Sequence, residues 1–316
     1  MEHSTRRGFL RLAAGSAASL GLGALAGAPA AASAPHGRPL DLTGMPYRQD
    51  DPRWSRDLMW DRSLVVRADV ELNGRTRAQA AELLRRYPEG NTIGNEGCML
   101  TCMAMALQLL APSARRPWTP RRLNRAAHAA YYYTLSGVSM ATLYADLVAE
   151  VSTGRVQMGI AEEHLPGVPG WRPMTASASP LVRAYRGLSP TQRAAFVVML
   201  KTGTYDDTIA SHYVLLDPAA EESPDDPDAA LLDPAMPPSG RRPWRLSDSA
   251  AWIGQDPGIR AAWRADGIEP TQIGGAWVFA RWNRAAGRPQ LGPLVAAWAR
   301  ELAAQETASA GALSGR

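Results

Sequence analysis

The sequence predicts an α+β fold: a helix headed by a cysteine, packed on a small, mainly antiparallel sheet. Two observations carry this. After the loop-like Asn91-Thr92-Ile93-Gly94-Asn95-Glu96 and Gly97, an unbroken run of helix formers extends from Cys98 to Leu110. Downstream, Ala195–Lys201, His212–Leu216, Asp228–Leu232 and Gly275–Ala280 are short apolar runs separated by turn-forming segments, which read as strands. One helix face buried on one sheet face is the layered arrangement such a pattern supports.

In chain order, Ser4-Thr5-Arg6-Arg7-Gly8-Phe9-Leu10 opens a twin-arginine export signal. An Ala/Gly/Leu-rich segment to Leu25 and a cleavage site at Ala32-Ser33-Ala34 complete it over residues 1–34. A membrane anchor is the weaker reading, because the apolar segment is rich in small residues and short for a bilayer. The mature chain is therefore expected to be secreted or periplasmic, with no membrane contact after cleavage. Roughly 280 residues remain, enough for one large domain with extensions, here residues 35–304.

Pro39 to Trp60 reads as irregular chain. Ser63–Leu72 suggests a strand from its β-branched Val65, Val66 and Val70, and Thr76–Tyr87 an amphipathic helix with Ala81, Leu83 and Leu84 inward. Pro112 ends the Cys98 helix. Thr119 then caps a helix running from Pro120 to about Ala130, on which His128 is a surface or part-buried residue, and Tyr131–Tyr133 read as core aromatics. Ser139–Val151 is a further helix, Gly154–Pro180 is rich in Gly and Pro, and Ser189-Pro190 opens a short helix. Gly203–Ile209 reads as a connecting turn and the acidic Glu221–Asp228 as a solvated hairpin loop. Arg242–Ile253 holds a helix with Ser247 as candidate cap, Leu291–Ala304 is a final amphipathic helix, and residues 305–316 have a disordered composition.

Composition excludes several function classes. The formal net charge is +4, Lys201 is the sole lysine, and no basic stripe with interleaved aromatics supports nucleic-acid binding. His164 beside Glu162 and Glu163 has no second histidine at ligand spacing, and no phosphate-binding or dinucleotide-binding glycine motif occurs. Any chemistry is expected to need no cofactor and no metal.

The two cysteines, Cys98 and Cys102, sit one helical turn apart in a chain read as exported. Secreted proteins usually pair their thiols. Here the alpha carbons would be about 6 Å apart with side chains held parallel, which strains a bridge, so two free thiols are expected. Cys102 then behaves as a small buried apolar residue. Cys98, at the helix head, meets unpaired amides and the positive end of the helix dipole, which favour the nucleophilic thiolate.

A thiol nucleophile needs a base. His212 enters an apolar strand, and among the five histidines it has the best setting: His3 leaves with the signal, His36 sits at the new terminus, and His128 and His164 are poorly placed. A buried core histidine is the competing reading. For the orienting acid, Asp217 lies five residues along the same strand, about 16 Å away. Asp233 returns on the neighbouring strand and lies opposite. A cysteine on a helix start with a histidine and an acid on later strands is the papain-type arrangement.

Tyr47-Arg48-Gln49-Asp50-Asp51-Pro52-Arg53-Trp54, Gly97-Cys98 with Thr101, Ala104-Met105 and Leu107, His212-Tyr213-Val214 and Leu231-Leu232-Asp233-Pro234 occur in this order. In that order they resemble the papain-like cysteine peptidases of family thirty-nine, the double-glycine leader peptidases, and their broader like group. The resemblance spans roughly residues 45–255 and rests on the order of four weak motifs. It implies a papain-like fold with Cys98 as nucleophile, His212 as base, Asp233 as orienting acid and Gln49 as oxyanion donor. On composition alone Gln49 is an exposed loop residue. The chain departs from the family in a long insertion at about 61–90, which could cover a cleft or decorate the domain. No transporter segments accompany it, so the leader-peptide substrate does not carry over.

Two function classes follow. The first is a secreted cysteine-dependent hydrolase of peptide or other amide substrates. The second is a catalytically silent papain-like binding module, with an acyltransferase as a close variant of the first.

Overall fold

The computed structural model describes residues 39–83, 90–113, 115–129, 133, 147–163, 174–202, 212–236, 244–255, 257, 260, 261, 264 and 271–314. The export signal, His3, His36, His164, Tyr131, Tyr132, the turn at 203–209 and most of the helix read over 139–151 lie outside the described residues, although residues 147–151 are helical.

In chain order the elements are β1 (Leu58–Asp61), α1 (Arg62–Asn73), α2 (Arg77–Leu83), β2 (Gly90–Thr92), α3 (Ile93–Glu96), α4 (Cys98–Leu110) and α5 (Pro120–Ala129). They continue with β3 (Val156–Glu163), β4 (Met174–Thr175), α6 (Pro180–Arg186), β5 (Phe196–Thr202), β6 (His212–Leu216), β7 (Ala230–Leu232), β8 (Trp244–Arg245), α7 (Leu246–Ile253), β9 (Gln272–Asn283), β10 (Arg288–Pro289) and α8 (Gly292–Ser314). The class is α+β, with every strand pairing among the described residues antiparallel.

The main sheet among the described residues runs β10-β9-β5-β6-β7-β8, with β3 and β4 also on β9. Strands β5, β6, β7 and most of β9 are buried on both faces. Val197, Met199, Tyr213, Leu215, Trp277 and Phe279 pack toward α4. Their alternates Phe196, Val198, Leu200, Val214, Leu216 and Val278 pack toward α6, α7 and α8. The near-continuous apolar run Phe196-Val197-Val198-Met199-Leu200 is the signature of a strand covered on both sides. The sequence expectation of one buried face therefore falls short by a layer.

Helix α4 is buried almost all round, as its apolar sequence demands. It packs on β6, β5 and β9. Its outer side is covered by Trp54, Met59, Trp60, Val65, Trp118 and Leu123. From the 61–90 segment, Val65 and the part-buried Val66 of α1 join this core. At the other end Arg281 Nε donates to the Leu110 carbonyl at 2.8 Å, satisfying a terminal acceptor.

Several expectations are corrected. Ser63–Leu72 is the helix α1: Asp61 Oδ1 accepts from Leu64 N–H at 2.9 Å, Gly74 closes the other end at φ 67°, and these caps outweigh the β-branched valines. In α2, opened by a reciprocal Thr76 and Gln79 capping box, Ala80 is buried and Ala81 exposed. The Gly/Pro-rich 154–180 region contains β3, whose partner β9 lies more than a hundred residues away. No helix opens at Ser189, where residues 190–195 form a turn; the helix of this region is α6, which ends at Arg186 and is capped by the Ser179 hydroxyl accepting from Val182 N–H. Arg245, not Ser247, is the cap residue of α7, with Asp248 accepting from its N–H at 3.0 Å. Residues 305–314 continue α8 rather than forming a disordered tail.

The Glu221–Asp228 segment is anchored rather than simply solvated. Arg186, with a side chain only 2% exposed, donates to the Glu222 carboxylate and to the Asp226 and Asp228 carbonyls. Arg245 joins it through Glu222, Asp226 and Asp228, and the Ser247 N–H and hydroxyl both donate to the Asp228 carboxylate. This network fixes the start of α7 against β7.

Candidate active site

Cys98 is the first residue of α4, preceded by the one-turn α3. Gly97 joins the two because a Cβ there would stand 2.4 Å from the Ile93 carbonyl oxygen. The thiol is free and part-exposed, while Cys102 is free and fully buried, its sulfur 3.2 Å from the Tyr213 carbonyl oxygen. Burial pushes the Cys102 thiol well up, so it is held as a neutral core residue.

His212 begins β6 and Asp233 stands one position beyond β7. The register Leu215↔Leu232 and Leu216↔Leu231 carries Asp233 opposite Val214, on the same face as His212 and one diagonal step away. The imidazole Nε2–H donates to Asp233 Oδ1 at 2.7 Å. Asp233 is fully buried and His212 is 6% exposed. Asp217 lies at the far end of β6, where its carboxylate accepts from Ala219 N–H. The strand pairing therefore brings Asp233 to His212 and leaves Asp217 away.

With Nε2 engaged by Asp233, Nδ1 is the ring nitrogen left for the thiol. Burial alone pulls His212 toward the neutral form, but the Asp233 charge and hydrogen bond, with smaller contributions from Cys98, more than reverse it and raise its pKa. Burial likewise opposes ionisation of Asp233. The charge and hydrogen bond of His212, with Ser249 and the Ala235 N–H, hold its carboxyl below the ordinary value.

Gln49 is buried, not exposed. Its Nε2 donates to the Gly94 carbonyl at 3.0 Å, four residues before Cys98, and its backbone N–H donates to the Pro234 carbonyl at 2.8 Å. The Gln49 loop is thus tied both to the turn entering α4 and to the segment carrying Asp233. One of the two Nε2 protons is used by Gly94, so the amide has a second donor to offer. The loop is held in turn by Trp54 Nε1, which donates to the Arg48 carbonyl, and by Gly94 N–H on the Ser55 carbonyl.

Two residues here have no counterpart in the sequence expectations. Trp252 of α7 lies with its ring 6.4 Å from the His212 ring, tilted 50°, and is 41% exposed. Ser249, one turn earlier on α7, is fully buried beside Asp233. A serine in the apolar face of a short helix is the only sequence signal for the second. His128, by contrast, sits with its Nε2 on the Leu58 carbonyl, away from this cluster.

Chemically, the arrangement offers a thiol at a helix start, a carboxylate-held imidazole and a tethered amide donor. Among the described residues, no group of three His, Cys, Asp or Glu side chains is placed to hold a metal ion, and no helix is long and apolar enough to cross a membrane. No family model, curated protein or solved structure matches the chain.

Proposed function

We propose that the chain is a cysteine-dependent hydrolase of peptide or other amide bonds, built on a papain-like fold. The observation that carries the reading is the bond from His212 to a fully buried Asp233, with Cys98 acting on the same ring. The S–H proton of Cys98 rests on His212 Nδ1, where the Asp233 pair holds it, and the sulfur attacks the substrate carbonyl. The oxyanion accepts hydrogen bonds from the Cys98 N–H, which has no carbonyl one turn back within α4, and from Gln49 Nε2. Protonated His212 then gives its proton to the leaving amine, so the C–N bond breaks and an acyl thioester remains. Water, losing a proton to His212, attacks the thioester, and the returning proton restores the thiol as the acid departs.

Asp233 keeps the imidazole oriented and supports its protonated form in both halves of the cycle. Trp252 covers the ring from the α7 side and limits water at the His212 and Asp233 bond. The reading includes export of the chain by the twin-arginine signal around Arg6 and Arg7.

The test is alkylation of folded protein by iodoacetamide across pH. Cys102 is buried, so label on folded chain reports Cys98. Rapid labelling at neutral pH that is lost on His212→Ala supports the proposal. Slow labelling in both forms would make Cys98 an inert residue and end it. A peptide and ester library then gives the substrate class.

A further inference from the structure

We propose that Ser249 is a positioning residue for this site, its hydroxyl holding the second oxygen of Asp233 so that the first stays on His212. The inference rests on the hydrolase reading above and adds a fourth member to its charge-bearing chain.

Asp233 Oδ1 is already engaged twice, by His212 Nε2 at 2.7 Å and by the Ala235 N–H at 2.8 Å. Its Oδ2 is buried without a hydrogen-bond partner, and so is the Ser249 Oγ. One is a buried acceptor without a donor and the other a buried donor without an acceptor. A buried carboxylate oxygen has only this kind of neighbour to replace water. Ser249 is among the groups that help hold the Asp233 carboxyl ionised.

The fold explains why the two face each other. Strand β8 pairs with β7 through Ala230↔Arg245 and Leu231↔Trp244, and α7 follows β8 without a linker. Ser249 therefore points inward with Leu246, Ala250 and Ile253, on the side of the sheet where Asp233 lies. The Arg245, Asp226, Asp228 and Ser247 contacts fix the start of α7, so the serine is held on a rigid element.

Without the hydroxyl, the Asp233 carboxyl loses a donor and protonates more readily, which in turn withdraws its support from His212. The test uses the full chain and follows the rate of Cys98 alkylation by iodoacetamide with mass-spectrometric site assignment, from about pH 3 to about pH 9. His212→Ala should lose the neutral plateau. Ser249→Ala should keep it but move its acid edge upward by about one pH unit, the scale of one hydrogen bond to a charged group. Ser249→Cys, close in size and a poor donor, should behave like Ser249→Ala. Ser249→Thr, which keeps the hydroxyl, should restore the edge.

A role in packing alone would let Cys102 label as the fold loosens and leave the acid edge where it was. An unmoved edge in both Ser249→Ala and Ser249→Cys, with His212→Ala still losing the plateau, overturns this inference and spares the hydrolase reading. An absent plateau in the unchanged chain, or one indifferent to His212→Ala, overturns both.

Discussion

Replacing Asp233 with Asn tests the buried pair through stability rather than activity. The comparison is best made in a Cys98→Ala background, so that the reactive thiol adds no proton of its own. The pair raises His212 from its ordinary 6.5 to about 10, and Cys98 is the smallest of the contributors. Between those two values the folded chain keeps a proton that the unfolded chain has released. Stability from this group is therefore fully present below about pH 6.5 and is lost as pH rises toward about 10, by at most about 1.4 kcal/mol per pH unit. From about pH 7 to about pH 9 the ceiling is about 2.7 kcal/mol, and about 2 kcal/mol is expected.

Asp233, held below its ordinary 3.8, contributes stability that is present above that value and lost as pH falls through its folded value. Both shifts describe one bond and are not to be added. Buried Cys102 brings its own decline toward high pH, because the unfolded chain releases that proton first, but it does so equally in both chains. With Asn at 233 the imidazole has no charge to hold its proton, so the His212 slope disappears. Urea unfolding followed by circular dichroism at several pH values measures this. The gap between the two chains should narrow by about 2 kcal/mol from about pH 7 to about pH 9. Parallel curves would refute the assignment of the raised His212 to Asp233.

Two further outcomes follow from the supports around the site. Gly97→Ala should cost about 2 kcal/mol in urea unfolding and slow Cys98 labelling, because the clash is with the Ile93 backbone and α3 must move. Moving α3 also moves the Gly94 carbonyl that holds Gln49. Glu222→Ala should lower stability by about 3 kcal/mol in the same assay, while Glu222→Gln should lower it less. The reason is that burial already works against the Arg186 charge, and Glu222 is its nearest counter-ion at 3.2 Å, Asp226 standing at 4.0 Å.

What the sequence discloses depends on how local the determining interaction is. Helix α4 is readable to the residue, since the glycine before it and the helix formers within it act over a few positions. Strands β5, β6 and β7 are readable as apolar runs, and the return of Asp233 beside His212 follows from a single hairpin. Strand β3 is not readable: Val156–Glu163 follows Gly154, is interrupted by Gly159 and takes its partner from β9. Gly159 itself is explained only in three dimensions, where a Cβ would meet Leu291 Cδ1 at 2.3 Å. Helix α1 fails for another reason: the valines that suggest a strand are overruled by a capping aspartate and a left-handed glycine at its ends. The buried place of Gln49 is legible only through the family resemblance, because the contacts that anchor it come from Gly94 and Pro234.

Among the described residues, the Arg186 and Glu222 cluster and the His212 and Asp233 cluster differ in a way that bears on the proposed chemistry. In the first, Arg186 spends each of its nitrogens on a carboxylate or carbonyl, and both oxygens of Glu222 are engaged, by Arg186, Arg245 and the Ala230 N–H. That is what a cluster selected to hold a loop in place requires. In the second, the His212 and Asp233 pair is buried, but Cys98 is part-exposed and Trp252 presents its ring to solvent. An apolar pair of the same volume would serve stability as well or better than an ionised His212 and Asp233. The second cluster leaves its thiol and one aromatic ring open to solvent at an energetic cost, and the proposed chemistry would use that opening: a substrate carbonyl reaches Cys98 while His212 carries the proton to the leaving amine.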